Sequence, residues 1–250
     1  MRTPADGPVA VLWDMDGTLV DSERLWDVSL AELAAHLGGS LSGSAREAMV
    51  GGSLAVSCER VLVEVGRPAT SEAVARAGEW LMARTGELFA RDLRWQPGAR
   101  DALRAVRAAG LPAALVTSTH RSLTERALEW IGRDHVDVVV CGDEVSAPKP
   151  APDPYLRAAG LLGVPPARCV AVEDSPTGTE SAAAAGCAVL VVSSGVPVPG
   201  GPRRVPRDGL VGLTVAELGA VWRRARADDA GEGDHSSRRR THPAHPGPLG

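Results

Sequence analysis

Lysine is almost absent from this 250-residue chain: of 27 basic residues, Lys149 alone is lysine and the rest are arginine. No basic stripe stands out, and a formal net charge of -4 with mixed signs excludes nucleic acid as the expected partner. The four cysteines, Cys58, Cys141, Cys169 and Cys187, show no C-x-x-C spacing and sit in apolar or strand-like settings. That excludes a zinc or disulfide framework and points to reduced core residues. No stretch approaches the roughly 20 apolar residues of a bilayer span. Met1 to Pro8, one arginine before a short apolar run, falls short of a signal peptide's apolar region. The expectation is a soluble, cytoplasmic protein, long enough for one core plus a smaller second domain.

What the chain does have begins at Val9. The apolar run Val9-Ala10-Val11-Leu12-Trp13 ends in Asp14-Met15-Asp16-Gly17-Thr18-Leu19-Val20-Asp21. Such a run reads as a buried parallel strand, and ligands of open α/β sheets sit at the carboxyl ends of such strands. Two carboxylates there repel each other, so a shared cation or proton is expected.

From Ser22, which can cap a helix to about Leu37, the sequence to about Arg94 reads as helices only. Beyond Pro97, strands at 113–116, 136–140, 169–172 and 188–192 alternate with helices, which predicts a doubly wound parallel sheet. Asp153 reads as the cap of a helix beginning at Pro154. Residues 195–208 read as proline- and glycine-rich loop, Thr214 caps a last helix to about Arg224, and 226–250 read as a disordered tail. The expected division is a core of residues 1–21 and 95–225 with a helical insertion over 22–94.

Most of the expected strands end in polar groups or lead into a loop that carries them. Thr117-Ser118-Thr119 follows the second, Asp143 and Lys149 lie in the loop after the third, and Glu173-Asp174 ends the fourth. Singly, each has a structural reading: Thr117 as an N-cap, Glu173-Asp174 as a loop pair, Asp143 as a turn with Gly142. Jointly they converge on one edge of the sheet. Lys149, between Pro148 and Pro150, is a compact ammonium where the chain otherwise uses guanidinium.

These motifs resemble the haloacid dehalogenase superfamily of phosphotransferases, in the branch with a helical cap after the first motif. The resemblance covers about residues 8–195. It is carried by Asp14 to Asp21, by Thr117 after its strand, by Lys149 in Pro148-Lys149-Pro150-Ala151-Pro152-Asp153-Pro154-Tyr155, and by Val172-Glu173-Asp174-Ser175-Pro176-Thr177-Gly178. It implies a Rossmann-like α/β core with an inserted α-helical cap. It also implies Asp14 as nucleophile forming an aspartyl-phosphate and Asp16 as general acid and base. Thr117 and Lys149 then contact the phosphoryl group beside Ser118. Mg²⁺ is implied on Asp14, the Asp16 carbonyl and Asp174, with Glu173 either a ligand or its neighbour.

The activity so implied is a Mg²⁺-dependent phosphatase acting on a small-molecule phosphate ester. A sugar phosphomutase resembling β-phosphoglucomutase is the alternative, but its cap-loop cations have no counterpart in Met49 to Ala55, and a histidine after the first motif is missing. A phospho-aspartate switch or an inactive binding module is the alternative of another class. Glu23, Trp26, Gly51, Gly52 and Ser53 are the candidate substrate contacts. Oligomeric state is open, and a monomer is compatible with the pattern.

Overall fold

The computed structural model describes residues 7–47, 49, 54–193 and 195–237. Short aliphatic runs form β1 (Ala10–Trp13), β2 (Ala113–Val116), β3 (Val138–Val140), β4 (Cys169–Glu173) and β5 (Ala188–Val192). β1, β2 and β4 are buried at every position, as parallel strands covered on both faces must be. With β6 (Arg204–Arg207) they make one six-stranded parallel sheet in the order β3-β2-β1-β4-β5-β6.

Winding runs outward from β1 through β2 to β3, then crosses to β4 on the other side of β1. The order therefore reverses between β1 and β4, which is where open α/β sheets hold their ligands.

Alternation sorts the strand residues between two cores. Val11, Trp13, Leu115 and Val172 pack with α5 (Ala99–Ala108), α6 (Arg121–Ile131) and α9 (Val215–Ser237). Ala10, Leu12, Val116 and Ala171 pack with α7 (Asp153–Leu162) and α8 (Pro176–Ala184). Between β1 and α5 the described residues form the helices α1 (Glu23–His36), α2 (Gly43–Glu47), α3 (Leu54–Glu64) and α4 (Ser71–Asp92). They enclose a separate core of Leu30, Leu33, Cys58, Val61 and Leu81.

The 22-residue α4 ties this cap to the sheet. Its Ala77 and Leu81 belong to the cap core, while Leu88 and Phe89 belong to the sheet-side core. Burying each of the latter two contributes about 2 kcal/mol. The chain leaves for the cap and returns at one place, where the Asp21 N–H donates to the Arg94 carbonyl at 2.9 Å and the Gln96 N–H to that of Leu19 at 2.9 Å.

Four local expectations need correction. Residues 204–207, read as loop, form β6. As an edge strand it tolerates Pro206, whose missing N–H would break an interior ladder. α9 continues past Arg224 to Ser237, into the segment read as a tail, and no proline interrupts it there. Residues 238–250 lie outside those described. α7 begins at Asp153 itself, with Pro152 before it. Ser22 precedes α1 but makes no capping bond, because its hydroxyl is used elsewhere. Among the described residues no helix is long and apolar enough to cross a membrane.

Candidate active site

β1 delivers Asp14 to the reversal point. Its N–H donates to the Val172 carbonyl at 3.0 Å, continuing the ladder and bringing it beside Glu173 and Asp174 at the end of β4. The chain then turns at Gly17, whose φ of +83° favours glycine. A Cβ there would also stand 2.2 Å from Asp174 Oδ2, so the first and fourth strand ends approach through this residue. Thr18 completes the junction, its hydroxyl donating to Asp174 Oδ1 at 2.9 Å.

Lys149 arrives from the loop before α7. Its Nζ donates to Asp14 Oδ1 at 2.7 Å, Glu173 Oε1 at 2.6 Å and the Val116 carbonyl at 2.9 Å. Those three acceptors use all three N–H groups of the ammonium. Burial alone would lower its pKa, but Asp14 and Glu173 more than reverse that and leave it raised. Tyr155, in the first turn of α7, donates to the same Glu173 Oε1 at 2.6 Å, and Ser175 donates to Oε2 at 3.2 Å. Gly178 lets this carboxylate pack closely, since a Cβ there would lie 1.9 Å from Glu173 Oε1.

Asp16 is held differently. Ser22 donates to its Oδ1 at 2.6 Å, while Thr117 and Thr119 both donate to Oδ2 at 2.8 Å. Among the described residues, three hydroxyls and no cation hold this carboxylate, which lines the cavity.

Asp14, Glu173 and Asp174 each offer an oxygen, all within 4.8 Å of one another. Burial, and then the Glu173 carboxylate, push the Asp14 carboxyl well above its usual range even though Lys149 opposes the shift. Three buried carboxylates against one ammonium leave negative charge that a divalent cation would relieve, and an all-oxygen donor set suits a hard cation. The donor chemistry therefore fits a divalent metal. The Asp16 side chain is outside this trio, and both Glu173 oxygens already accept hydrogen bonds.

A cavity of about 480 Å³ opens between cap and core above these groups. Of the residues expected to meet a substrate, Asp16, Glu23, Trp26, Ser118 and Lys149 line it. Thr117 lies against Asp16 rather than pointing free, and Gly51, Gly52 and Ser53 lie outside the described residues. Sequence reasoning missed Ser22, Thr119, Tyr155, Arg46 and His120. Tyr155 had a signal, being the chain's one tyrosine and sitting six residues after its one lysine. Arg46 had none, because it lies three residues before the Met49–Ala55 stretch where a cap-loop cation is expected.

The model of the haloacid dehalogenase-like hydrolases matches residues 9–186. The chain belongs to this family. Among its relatives, hexitol phosphatase A of Escherichia coli K12 is 34% identical over 219 residues, spanning 83% of this chain and 90% of that protein. A phosphoglycolate phosphatase of Chromobacterium violaceum is 32% identical over 189 residues, 74% and 85% of the two chains. Among solved structures, CbbY from Rhodobacter sphaeroides in complex with phosphate superposes with a TM-score of 0.74 at 28% identity. The match covers 84% of this chain and 99% of CbbY. The family's α/β core with an inserted helical cap is the architecture seen in this hydrolase.

Proposed function

We propose that this hydrolase is a Mg²⁺-dependent phosphatase that cleaves small phosphorylated metabolites through an aspartyl-phosphate on Asp14. The observation that carries the reading is the division of labour between two carboxylates on one strand end. Among the described residues, Asp14 is bound to the buried Lys149 ammonium, and Asp16, which lines the cavity, only to hydroxyls.

In the first step an Asp14 carboxylate oxygen forms a bond to phosphorus as the ester P–O bond breaks. Asp16, in its acid form, gives its proton to the departing alkoxide. In the second, Asp16 takes a proton from water, whose oxygen bonds to phosphorus and releases orthophosphate and the Asp14 carboxylate. Lys149 lowers the repulsion between the anionic phosphoryl group and Asp14, and the fixed donors around it require little rearrangement during the reaction. Asp14 and Asp174 would hold Mg²⁺, which when bound supplies charge neutralisation to the phosphoryl oxygens. Glu173 serves on this reading to position Lys149, since its oxygens are taken by Lys149, Tyr155 and Ser175.

A cap over the site limits access to small substrates and excludes bulk water. The mutase alternative needs a free cap cation for a second phosphate. Arg46 is the cap cation among the described lining residues, and Asp27 already holds it. Mg²⁺-dependent phosphate release from p-nitrophenyl phosphate and from a panel of sugar and nucleoside phosphates tests the proposal. Asp14→Asn should abolish release with an unchanged circular dichroism spectrum. Turnover by that variant, or none by the wild type over the whole panel, refutes it.

A further inference from the structure

The charged groups that line the cavity fall into two zones. At the core end lie Asp16 and Lys149, and the Lys149 donors are all committed to Asp14, Glu173 and Val116. Away from the reacting strand ends the described charged or chargeable lining is Glu23, Arg46 and His120. His120 Nδ1 stands 4.0 Å from Asp143 Oδ2.

Arg46 is paired more tightly. Its Nε donates to Asp27 Oδ1, and its Nη2 forms an ion pair with the same oxygen. Glu23 has no hydrogen-bond partner among the described residues, and it sits one helical turn before Asp27 on α1. Burial first, and the neighbouring Asp27, Asp16 and Asp21 carboxylates after it, push its carboxyl up against the opposing pull of Arg46. Ala48 and Val50 to Ser53, which lie outside the described residues, carry no charged side chain in the sequence.

Among the described residues, Lys149 and Arg46 are each held by a carboxylate and His120 has one at 4.0 Å, while Glu23 and Asp16 make no hydrogen bond or ion pair to a cation. A second phosphate or a carboxylate brought here would lose water and gain no free positive partner, which is a cost specific to that class of ligand. A hydroxyl-bearing carbon skeleton meets the opposite conditions. Its O–H groups can donate to Glu23, and its C–H surface can lie on Trp26.

Building on the phosphatase reading, we propose that the cavity selects monophosphates with an uncharged, hydroxyl-rich organic part and rejects substrates with a second anionic group. Asp27 sets that preference by occupying the Arg46 guanidinium. Neither Asp27 nor the salt bridge touches the reacting groups, so the effect is on which substrate is accepted.

The test uses the full chain with Mg²⁺ and compares kcat/KM for sorbitol 6-phosphate, 2-phosphoglycolate and fructose 1,6-bisphosphate. p-Nitrophenyl phosphate serves as the reference without charge on its organic part. The wild type should prefer sorbitol 6-phosphate over either multiply anionic substrate by about tenfold or more, the scale of one charge-assisted contact. Asp27→Asn should free Arg46 and raise the ratio of 2-phosphoglycolate to sorbitol 6-phosphate by about tenfold. Arg46→Gln added to Asp27→Asn should return the ratio to its wild-type value, an outcome that a mere folding defect would not produce. Equal or better use of the multiply anionic substrates by wild type overturns the inference and leaves the phosphatase reading standing if p-nitrophenyl phosphate is still hydrolysed. So does an Asp27→Asn ratio unchanged from wild type, or a double variant that keeps the altered ratio. Failure to hydrolyse p-nitrophenyl phosphate and all three metabolites overturns the phosphatase reading, and this inference with it.

Discussion

Replacing Lys149 with methionine would remove one positive charge from a pocket that has closed around it. The side chain is 4% exposed, and its Nζ makes contacts of 2.6, 2.7 and 2.9 Å. Methionine fills most of the volume, so the loss is electrostatic rather than a cavity. Removing one partner of a buried ion pair costs about 3–5 kcal/mol, because the other charge is left uncompensated. Here two carboxylates are left, Asp14 and Glu173, and one of them can escape by taking a proton. A carboxyl whose folded pKa lies above its unfolded value contributes stability that is full below the unfolded pKa and lost as pH rises through the folded one. Lys149→Met should therefore unfold more easily than wild type by about 3 kcal/mol at pH 8 and by distinctly less at pH 5. Urea titrations in EDTA at the two pH values measure this. A deficit that is equal at both, or below about 1 kcal/mol at pH 8, refutes the assignment of a charged, doubly bridged ammonium. Activity should fall by about a hundred- to a thousandfold, the scale of one fixed electrostatic contact to the developing charge. Lys149→Arg should restore little of it, since a planar guanidinium does not fit three acceptors arranged around one nitrogen.

Other substitutions probe the supports of the same site. Gly178→Ala should destabilise by about 1–3 kcal/mol through its clash with Glu173. A helix-interior alanine would otherwise be favourable by up to about 1 kcal/mol, so stabilisation in a melting experiment would refute the close approach. Tyr155→Phe deletes a buried hydrogen bond to a carboxylate and should cost about 1.5–3 kcal/mol in urea unfolding, with kcat reduced more than KM is raised. Wild-type stability would show that the hydroxyl does not hold Glu173. Ser22→Ala should lower kcat by about tenfold with KM little changed, because it loosens Asp16, whose proton transfers depend on orientation. Unaltered turnover would return Ser22 to a structural role.

Much of this site is legible in the amino-acid sequence. An apolar run ending in two aspartates, a lone lysine between prolines and a second acidic pair after another apolar run each place chemistry at a strand end. Position within a strand is a local property that residue type reveals. The helix–strand alternation after Pro97 likewise predicts β2 to β5, since side-chain periodicity records which faces are buried. β6 escaped because Arg204, Pro206 and Arg207 carry no apolar signal, and edge position rather than composition permits the strand. Ser22 was misread for a related reason. Its place before a helix suggests a cap, yet its hydroxyl donates to Asp16, six residues back across the turn.

The sequence by itself determined the order of strands from β1 to β5 and the chemical type of their ends, because these follow from local periodicity and from what each side chain can donate or accept. Tertiary structure alone decided which groups share a partner. Thr117 and Asp16 are separated by 101 residues, and Lys149 and Asp14 by 135. Only the sheet order brings such positions within hydrogen-bond range. The same holds for Arg46: its charge is visible in the sequence, but its commitment to Asp27 depends on how α2 folds back against α1.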